Sequence, residues 1–199
     1  MSTEAATSPA PVPGDALIVV DVQNDFLPGG ALAVGRGDEV IEPLNRRLKA
    51  FAAAGLPIFA TRDWHPANHC SFKAQGGPWP PHCVAGTPGA AFASSLRLPP
   101  GAQIVSKASA QDRDAYSGFG GTDLRERLNT AGVRRLLVGG LATDYCVLNT
   151  VLDACKAGFE VLVLESAVRA VDVQPGDGAR ALEQMQRAGA RLISDGSDR

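Results

Sequence analysis

The sequence predicts an α/β fold, a three-layer α/β/α domain that is doubly wound around a mainly parallel sheet of about six strands. Short apolar runs rich in β-branched residues recur along the chain without alternating polar residues, which indicates strands covered on both faces. Segments with the apolar spacing of helices separate most of these runs, as expected when crossover helices connect parallel strands. These two observations together favour a parallel sheet between two layers of helices.

The predicted elements are assigned in chain order. Strands are predicted at residues 16–22, 57–61, 103–107, 135–139 and 160–164, and a shorter sixth candidate lies at 190–194. Helices are predicted at residues 39–54, 122–130, 145–157 and 177–188. The first helix has apolar residues close to the 3.6-residue period. Each helix ends near a glycine, the usual helix stop: Gly55, Gly132, Gly158 and Gly189.

Length, charge and composition limit the classes of protein that this chain can belong to. Its 199 residues fit a single domain at 15–199, preceded by a flexible N-terminal tail at 1–14. A formal net charge of -2 without a basic stripe argues against a nucleic-acid partner. No apolar run reaches the roughly 20 residues needed to cross a bilayer, and the first residues lack the features of a signal peptide. We therefore expect a cytoplasmic protein with no membrane partner and with reduced cysteines.

Every histidine of the chain lies in residues 62–100, a segment that fits neither the strand nor the helix pattern. A long segment of this kind inside a compact domain is usually either functional or disordered. Its aromatic residues favour packing over disorder. We therefore expect an ordered active-site loop.

The histidines of this loop predict a metal site. Asp63 and His65 are two residues apart at the end of an apolar run, so on an extended strand both would point to one face, and His82 would return across the loop. Imidazole nitrogens and a carboxylate suit borderline divalent ions, and three protein ligands are typical of a catalytic site. Two alternatives stay open: a polar surface loop that binds nothing, and a structural zinc site that uses Cys70 and Cys83 with their neighbouring histidines, although no C-x-x-C-like turn brings these together.

Two charged side chains end predicted strands, where open parallel sheets bind their ligands. Asp21 follows an apolar run, so its carboxylate should be partly desolvated and its pKa raised toward the range for proton exchange. Asp21 could equally cap the strand end or pair with a lysine. Lys107 ends the third predicted strand, where a lysine either reaches solvent or holds a functional anion.

Cys146 follows the fourth predicted strand and is the candidate nucleophile. Thr143 is expected to be the N-cap of the next helix, which places Cys146 in the first helical turn. The free N–H groups and the helix dipole there favour a thiolate and can also hold an oxyanion. The other cysteines, Cys70, Cys83 and Cys155, are expected to be inert.

Several motifs occur in order between residues 16 and 164: Asp21-Val-Gln-Asn-Asp-Phe26, Asp63-Trp-His-Pro66, Trp79-Pro-Pro-His-Cys-Val84, Lys107, Tyr116-Ser-Gly-Phe119 and Gly140-Leu-Ala-Thr-Asp-Tyr-Cys-Val147. Together they resemble the nicotinamidase branch of the isochorismatase-like cysteine hydrolases, which have a Rossmann-like fold. The metal motif distinguishes this branch from relatives that act on isochorismate or carbamoylated substrates without a metal.

The resemblance implies an amidase of NAD salvage that converts nicotinamide into nicotinate and ammonia and also accepts pyrazinamide. Asp21, Lys107 and Cys146 would form the catalytic triad. Asp21 would exchange the proton, Lys107 would orient the carboxylate and favour the thiolate, and Cys146 would attack the carboxamide carbon to give a thioester. The N–H groups of Ala142 and Cys146 would form the oxyanion hole, next to a cis peptide bond between Leu141 and Ala142.

The resemblance also implies one divalent metal ion, zinc or alternatively iron or manganese, bound by Asp63, His65 and His82. The ion would position the pyridine nitrogen of the substrate. His69 is a metal ligand in some members of the family and lies beside the site in most, so it is a candidate fourth ligand. The substrate ring would be bound by Phe26, Trp79, Tyr116 and Ala142.

The partner implied is a small-molecule substrate, and a homo-oligomer stays open. Two other functions compete with this interpretation. One is an isochorismatase-like hydrolase that acts on a different amide or on a vinyl ether, which the three candidate metal ligands disfavour. The other is a non-enzymatic binding module, which the intact triad disfavours.

Overall fold

The computed structural model describes residues 9–194, in which six strands form one sheet. The strands are β1 Asp15–Val20, β2 Ile58–Asp63, β3 Gln103–Lys107, β4 Arg135–Leu141, β5 Glu160–Arg169 and β6 Arg191–Ile193. Their order is β3-β2-β1-β4-β5-β6, and all neighbours pair in parallel. The strand order reverses between β1 and β4, the position at which open α/β sheets form a crevice for ligands.

Helices cover both faces of this sheet. They are α1 Ile41–Ala53, α2 Leu124–Thr130, α3 Leu148–Lys156 and α4 Asp177–Arg187. Helix α1 packs into one core cluster, whereas α2, α3 and α4 pack into a second cluster on the opposite face. The three-layer α/β/α architecture predicted from the sequence is confirmed.

Strand β1 shows why the apolar runs are continuous. Leu17 and Val19 lie in the core cluster of α1, and Ile18 and Val20 lie in the cluster of the other three helices. All four side chains are fully buried. Successive residues of a strand point to opposite faces, so a sheet covered on both sides needs apolar residues at every position.

Four strands end two or more residues away from their predicted ends. Strands β2 and β4 each extend two residues further, to Asp63 and Leu141. Strand β1 ends at Val20, before the predicted residue 22, because Asp21 adopts a left-handed φ of 48° and turns the chain away from the sheet. Strand β5 continues beyond residue 164 to Arg169, because after a register shift it pairs again with the end of β4. All four differences fall at the carboxyl ends of the strands, the edge of the sheet where the crevice lies.

The helix after β4 begins differently from the prediction. Its first turn is a π-helical turn, Thr143–Val147, and its N-cap is Ala142 rather than Thr143. The Ala142 carbonyl accepts hydrogen bonds from the N–H groups of Tyr145 at 3.1 Å and Val147 at 3.0 Å, which makes Ala142 the boundary residue. Cys146 nevertheless lies in the first turn, as predicted. The glycine stops are also confirmed, because all four have positive φ: Gly55, Gly132, Gly158 and Gly189.

The loop at residues 62–100 packs against the domain. It contains two short 3-10 turns, Lys73–Gln75 and Pro88–Ala90, and an isolated bridge between His65 and Val84. Phe72 in this loop is only 1% exposed. The loop is therefore packed, as its aromatic residues predict.

The described residues cover only part of the predicted N-terminal tail, since residues 1–8 lie outside them, as do residues 195–199. Near the end of that tail, the Gly14 carbonyl accepts hydrogen bonds from the N–H groups of Arg134 and Arg135. Within residues 9–194, no helix is long and apolar enough to span a membrane.

Candidate active site

The structure brings together the three side chains of the predicted triad. Asp21 follows β1, Lys107 ends β3, and Cys146 lies in the turn after β4. Lys107 Nζ lies 2.9 Å from Asp21 Oδ2 and 3.4 Å from Cys146 Sγ. All three residues are buried. A base, a cation and a thiol thus meet at the crevice between β1 and β4.

The ionisation of these groups follows from their burial and from each other. Burial opposes protonation of Lys107, but the carboxylates of Asp21 and Asp63 outweigh it and raise the Lys107 pKa well above its ordinary value. Burial raises the pKa of Asp21, and Asp63 adds to this effect while Lys107 opposes it. Lysine therefore stays cationic, and Asp21 has the raised pKa that its sequence position predicts.

The pKa of the Cys146 thiol differs from the prediction, which expected a favoured thiolate. Burial raises the pKa of Cys146 well above its ordinary value, and Asp21 and Asp63 add to the increase while Lys107 opposes it. The helix dipole alone would favour a thiolate, but desolvation and two neighbouring carboxylates outweigh it. The raised pKa favours the thiol form of Cys146 over the thiolate.

Side-chain atoms of Asp63, His65 and His82 lie within 4.8 Å of one another, as the metal prediction requires. Nδ1 of His65 is 3.2 Å from the Ala108 carbonyl, and Nδ1 of His82 is 2.8 Å from the Pro80 carbonyl. Because a carbonyl oxygen only accepts, each Nδ1 carries the proton and each Nε2 is left with a lone pair. His65 Nε2 is buried without a hydrogen-bond partner in the described structure, which fits a metal ligand.

The charge states of these residues also fit a divalent metal ion. Burial opposes ionisation of Asp63, but Lys107 and His65 outweigh it and lower the Asp63 pKa. Burial lowers the pKa of His82, which favours its neutral imidazole. An ionised carboxylate and neutral imidazoles are the forms that bind metals. The three residues can therefore hold a divalent ion.

His69, the candidate fourth ligand, is not part of this group. Its Nδ1 lies 2.7 Å from Ser71 Oγ, and its Nε2 lies 3.1 Å from the Arg113 carbonyl. Its ring stacks on His65 with 4.2 Å between centroids. Both ring nitrogens therefore have partners within the protein, and His69 as a fourth ligand stays a prediction.

The structural-zinc alternative requires Cys70 and Cys83 to form a metal site with other metal-binding side chains. Neither Cys70 nor Cys83 belongs to a candidate metal group among residues 9–194. Burial raises the pKa of Cys83 far above its ordinary value, so its thiol is inert. The structural-zinc alternative is therefore not supported.

A cavity of about 370 Å³, counted with its open mouth, is shared by Cys146 of the predicted triad and by Asp63 and His82 of the metal group. It is lined by Phe26, Leu32, Val34, Asp63, Trp79, His82, Tyr116, Ala142, Tyr145, Cys146 and Val171. The Trp79 indole N–H donates a hydrogen bond to the Tyr116 hydroxyl at 3.0 Å. The four residues predicted to bind the ring all line this cavity, and the peptide bond between Leu141 and Ala142 is cis, as the resemblance implies.

Sequence reasoning missed two residues of this site. The Tyr145 ring lies 5.1 Å from Trp79 and 5.6 Å from Tyr116 between centroids, so it completes an aromatic wall. The Gln23 side chain is buried and hydrogen-bonds to the backbone of Asp63. Gln23 and Tyr145 each lie inside a sequence motif that contains other site residues. Their place in these motifs is the sequence feature that could have identified them.

Comparison with known proteins agrees with this geometry. The model of the isochorismatase domain family matches residues 15–196. Nicotinamidase from Escherichia coli is 39% identical over 204 residues, covering 92% of this chain and 96% of that protein. The structure of Pyrococcus horikoshii pyrazinamidase in complex with zinc has a TM-score of 0.88 and 52% identity, covering 92% of this chain and 99% of that chain. That of PnC1 from L. infantum in complex with nicotinate has a TM-score of 0.84 and 36% identity, covering 96% of each chain.

The fold and the site define an enzyme, a hydrolase that acts on an amide C–N bond. The chain belongs to the isochorismatase family, and its predicted resemblance to the nicotinamidase and pyrazinamidase members is confirmed. The alternative of a non-enzymatic binding module is therefore wrong.

Proposed function

We propose that this protein is a nicotinamidase of NAD salvage, which hydrolyses nicotinamide to nicotinate and ammonia and also accepts pyrazinamide. One observation carries the proposal: the thiol of Cys146 and the candidate metal ligands Asp63 and His82 line the same small cavity. A nucleophile for a carboxamide and ligands for an ion that binds a ring nitrogen thereby face the same space. The relatives described as nicotinamidases and pyrazinamidases support this substrate class.

In the first half of the reaction, Asp21 takes the proton from Cys146 Sγ as the sulfur attacks the carboxamide carbon. Lys107, which is 3.4 Å from the sulfur, stabilises the developing thiolate. The N–H groups of Ala142 and Cys146 hold the oxyanion of the tetrahedral intermediate. Asp21 then donates its proton to the leaving nitrogen, so that ammonia departs and a thioester on Cys146 remains.

In the second half, one water molecule hydrolyses the thioester. Asp21, again a carboxylate, removes a proton from this water as its oxygen attacks the acyl carbon. The same N–H groups hold the second oxyanion. When the C–S bond breaks, the sulfur recovers the proton from Asp21, which restores the resting thiol. The acid product gives its remaining proton to the released ammonia or to solvent and leaves as nicotinate.

The substrate ring is held by the cavity wall and the metal group. A divalent ion bound by Asp63, His65 and His82, which we propose to be zinc with iron and manganese as alternatives, would supply a Lewis acid for the ring nitrogen. Phe26 and the aromatic wall pack against the ring and keep it in one orientation. This arrangement orients the carboxamide toward Cys146.

The test is ammonia release from nicotinamide, pyrazinamide and benzamide, with metal analysis of the same sample. We expect the two heteroaromatic amides to be hydrolysed and benzamide, which lacks a ring nitrogen, to react roughly 100-fold more slowly or worse. Chelation should remove the activity, and added Zn²⁺, Fe²⁺ or Mn²⁺ should restore it. Full activity without metal, or equal turnover of benzamide, would contradict the proposal. Another isochorismatase-like hydrolase would release no ammonia from nicotinamide.

A further inference from the structure

The carboxylate of Asp144 holds the start of the connection between β5 and α4, residues 170–176. Asp144 Oδ1 accepts a hydrogen bond from the Val171 N–H at 2.9 Å, and its Oδ2 accepts one from the Asp172 N–H at 2.9 Å. An ionised carboxylate is suited to this task, because both of its oxygens are acceptors. Asp144 therefore fixes two consecutive peptide groups of the connection.

The same carboxylate lies on the element that carries the nucleophile. Asp144 is in the π-helical turn Thr143–Val147, two residues before Cys146. The far side of the connection is also held, because Asp172 Oδ1 accepts a hydrogen bond from the Gly178 N–H of α4 at 2.8 Å. Gly178 also packs closely against Ala170 at the start of the connection, because a Cβ at Gly178 would lie 2.6 Å from the Ala170 Cβ.

Val171, the residue that Asp144 holds, reaches the active-site cavity. It lines this cavity together with Tyr145 and Cys146, and it packs against the core cluster of α1. Its neighbours Asp172 and Val173 are exposed, and Val173 is 54% exposed. Val171 is therefore the part of this connection that a bound ring can touch.

We propose that Val171 determines which ring-substituted carboxamides the enzyme accepts, and that Asp144 is a positioning residue that holds Val171 in the cavity wall. The inference rests on the proposed function, since it concerns the ring of that substrate. Removing the two methyl groups of Val171 enlarges the cavity at one place. Weakening the two hydrogen bonds that Asp144 accepts lets Val171 move in the cavity wall.

The first measurement compares Val171→Ala with the wild-type enzyme on nicotinamide and its ring-methylated isomers. We expect kcat/KM for one methylated isomer to rise about tenfold relative to nicotinamide, the usual effect of matching one methyl group to an apolar pocket. Ratios that stay within about twofold for every isomer would overturn the role of Val171.

The second measurement concerns Asp144→Asn, which keeps the shape but leaves one acceptor oxygen. We expect Asp144→Asn to raise kcat/KM for the same methylated isomer relative to nicotinamide, mainly by lowering KM. The double variant with Val171→Ala should show the same kcat/KM ratio as Val171→Ala alone. The matched control is Asp177→Asn, because Asp177 binds the Gln174 N–H of the same connection outside the cavity. If Asp144→Asn instead lowers kcat equally for all substrates, and this loss adds to the effect of Val171→Ala, Asp144 has only a structural role. That result would overturn its positioning role.

A third measurement requires no turnover. Cys146 is alkylated with iodoacetamide or with the bulkier N-ethylmaleimide, and its peptide is followed by mass spectrometry. We expect Val171→Ala to accelerate the maleimide reaction more than the iodoacetamide reaction, and an unchanged ratio of the two rates would overturn the inference. Absence of ammonia release from nicotinamide by the wild-type enzyme would instead contradict the proposed function, so the two failures are distinguishable.

Discussion

Gln23 hydrogen-bonds through its carboxamide to both backbone polar groups of Asp63. Its Nε2 donates to the Asp63 carbonyl at 2.8 Å, and its Oε1 accepts from the Asp63 N–H at 2.8 Å. Nε2 also donates to the Ala90 carbonyl at 2.9 Å. Gln23 thus fixes the backbone of a candidate metal ligand at the end of β2, and ties it to the loop that carries His82.

Gln23→Met tests whether this contact supports metal binding. Methionine has a similar length but cannot pair with the Asp63 backbone, so we expect metal affinity to fall about 10- to 100-fold. Affinity is measured by competition with a chelator on folded protein. Gln186→Met, on the exposed side of α4, is the matched control. Unchanged affinity in Gln23→Met would show that Asp63 is held without Gln23.

The Gln23 contact also shows where prediction from the sequence ends. Asp21, Lys107 and Cys146 could be placed at one edge because strand signals are local and the carboxyl ends of parallel strands share an edge. The Gln23–Asp63 bond spans 40 residues and the Asp144–Val171 bond spans 27, and each joins an irregular segment. No periodicity determines the path of such segments, so these contacts become visible only in the folded chain.

The position of His69 was open for a related reason. Its spacing in the loop is compatible with a ligand, and only the packed loop shows that Ser71 and Arg113 use both ring nitrogens. The start of the helix at Ala142 was likewise set by carbonyl geometry and not by the capping propensity of Thr143. Propensity is a weak guide where tertiary contacts decide the backbone.

Thr61→Val should shift the pH dependence of the reaction. Thr61 Oγ1 donates a hydrogen bond to Asp21 Oδ1 at 2.7 Å, which stabilises the carboxylate. Burial already raises the Asp21 pKa above its ordinary value of 3.8, and loss of this bond raises it further. Asp21 must be ionised to act as a base, so activity is lost as pH falls through this pKa. We expect the acid limb of kcat/KM to lie above pH 3.8 in the wild-type enzyme and to move to higher pH in Thr61→Val. An acid limb that stays in place or moves down would contradict the assignment of Asp21.

Lys107→Met should destabilise the metal-free protein in a pH-dependent manner. It leaves the buried carboxylates of Asp21 and Asp63 without their cation, which should cost about 3–5 kcal/mol of unfolding free energy near neutral pH. Without Lys107 the folded-state pKa of both carboxyl groups rises above the unfolded value, so protonation favours the folded state. The difference in unfolding free energy between Lys107→Met and the wild-type protein should therefore become smaller as pH falls. Chemical denaturation at several pH values measures it, with exposed Lys49→Met as the control. A deficit that widens at low pH would refute the electrostatic account.

His69→Ala and His82→Ala separate a supporting histidine from a ligand. His82 belongs to the candidate metal group, whereas His69 lies outside it and stacks on the His65 ring. We expect His69→Ala to retain one ion per chain with roughly tenfold weaker affinity, and His82→Ala to lose the ion on dialysis against a weak chelator. Metal content and competition with a chelator report both. Equal loss in the two variants would make His69 a fourth ligand.

The central claim is that Cys146 breaks the amide bond, and ammonia release by Cys146→Ala tests it most directly. The assay uses nicotinamide and folded protein with verified metal content, and Cys155→Ala, which alters a cysteine of α3 away from the cavity, is the control. We predict that Cys146→Ala lowers kcat by at least about 1,000-fold, as expected for loss of a nucleophile, whereas Cys155→Ala matches the wild-type enzyme. Turnover by Cys146→Ala within about tenfold of wild type would contradict the mechanism.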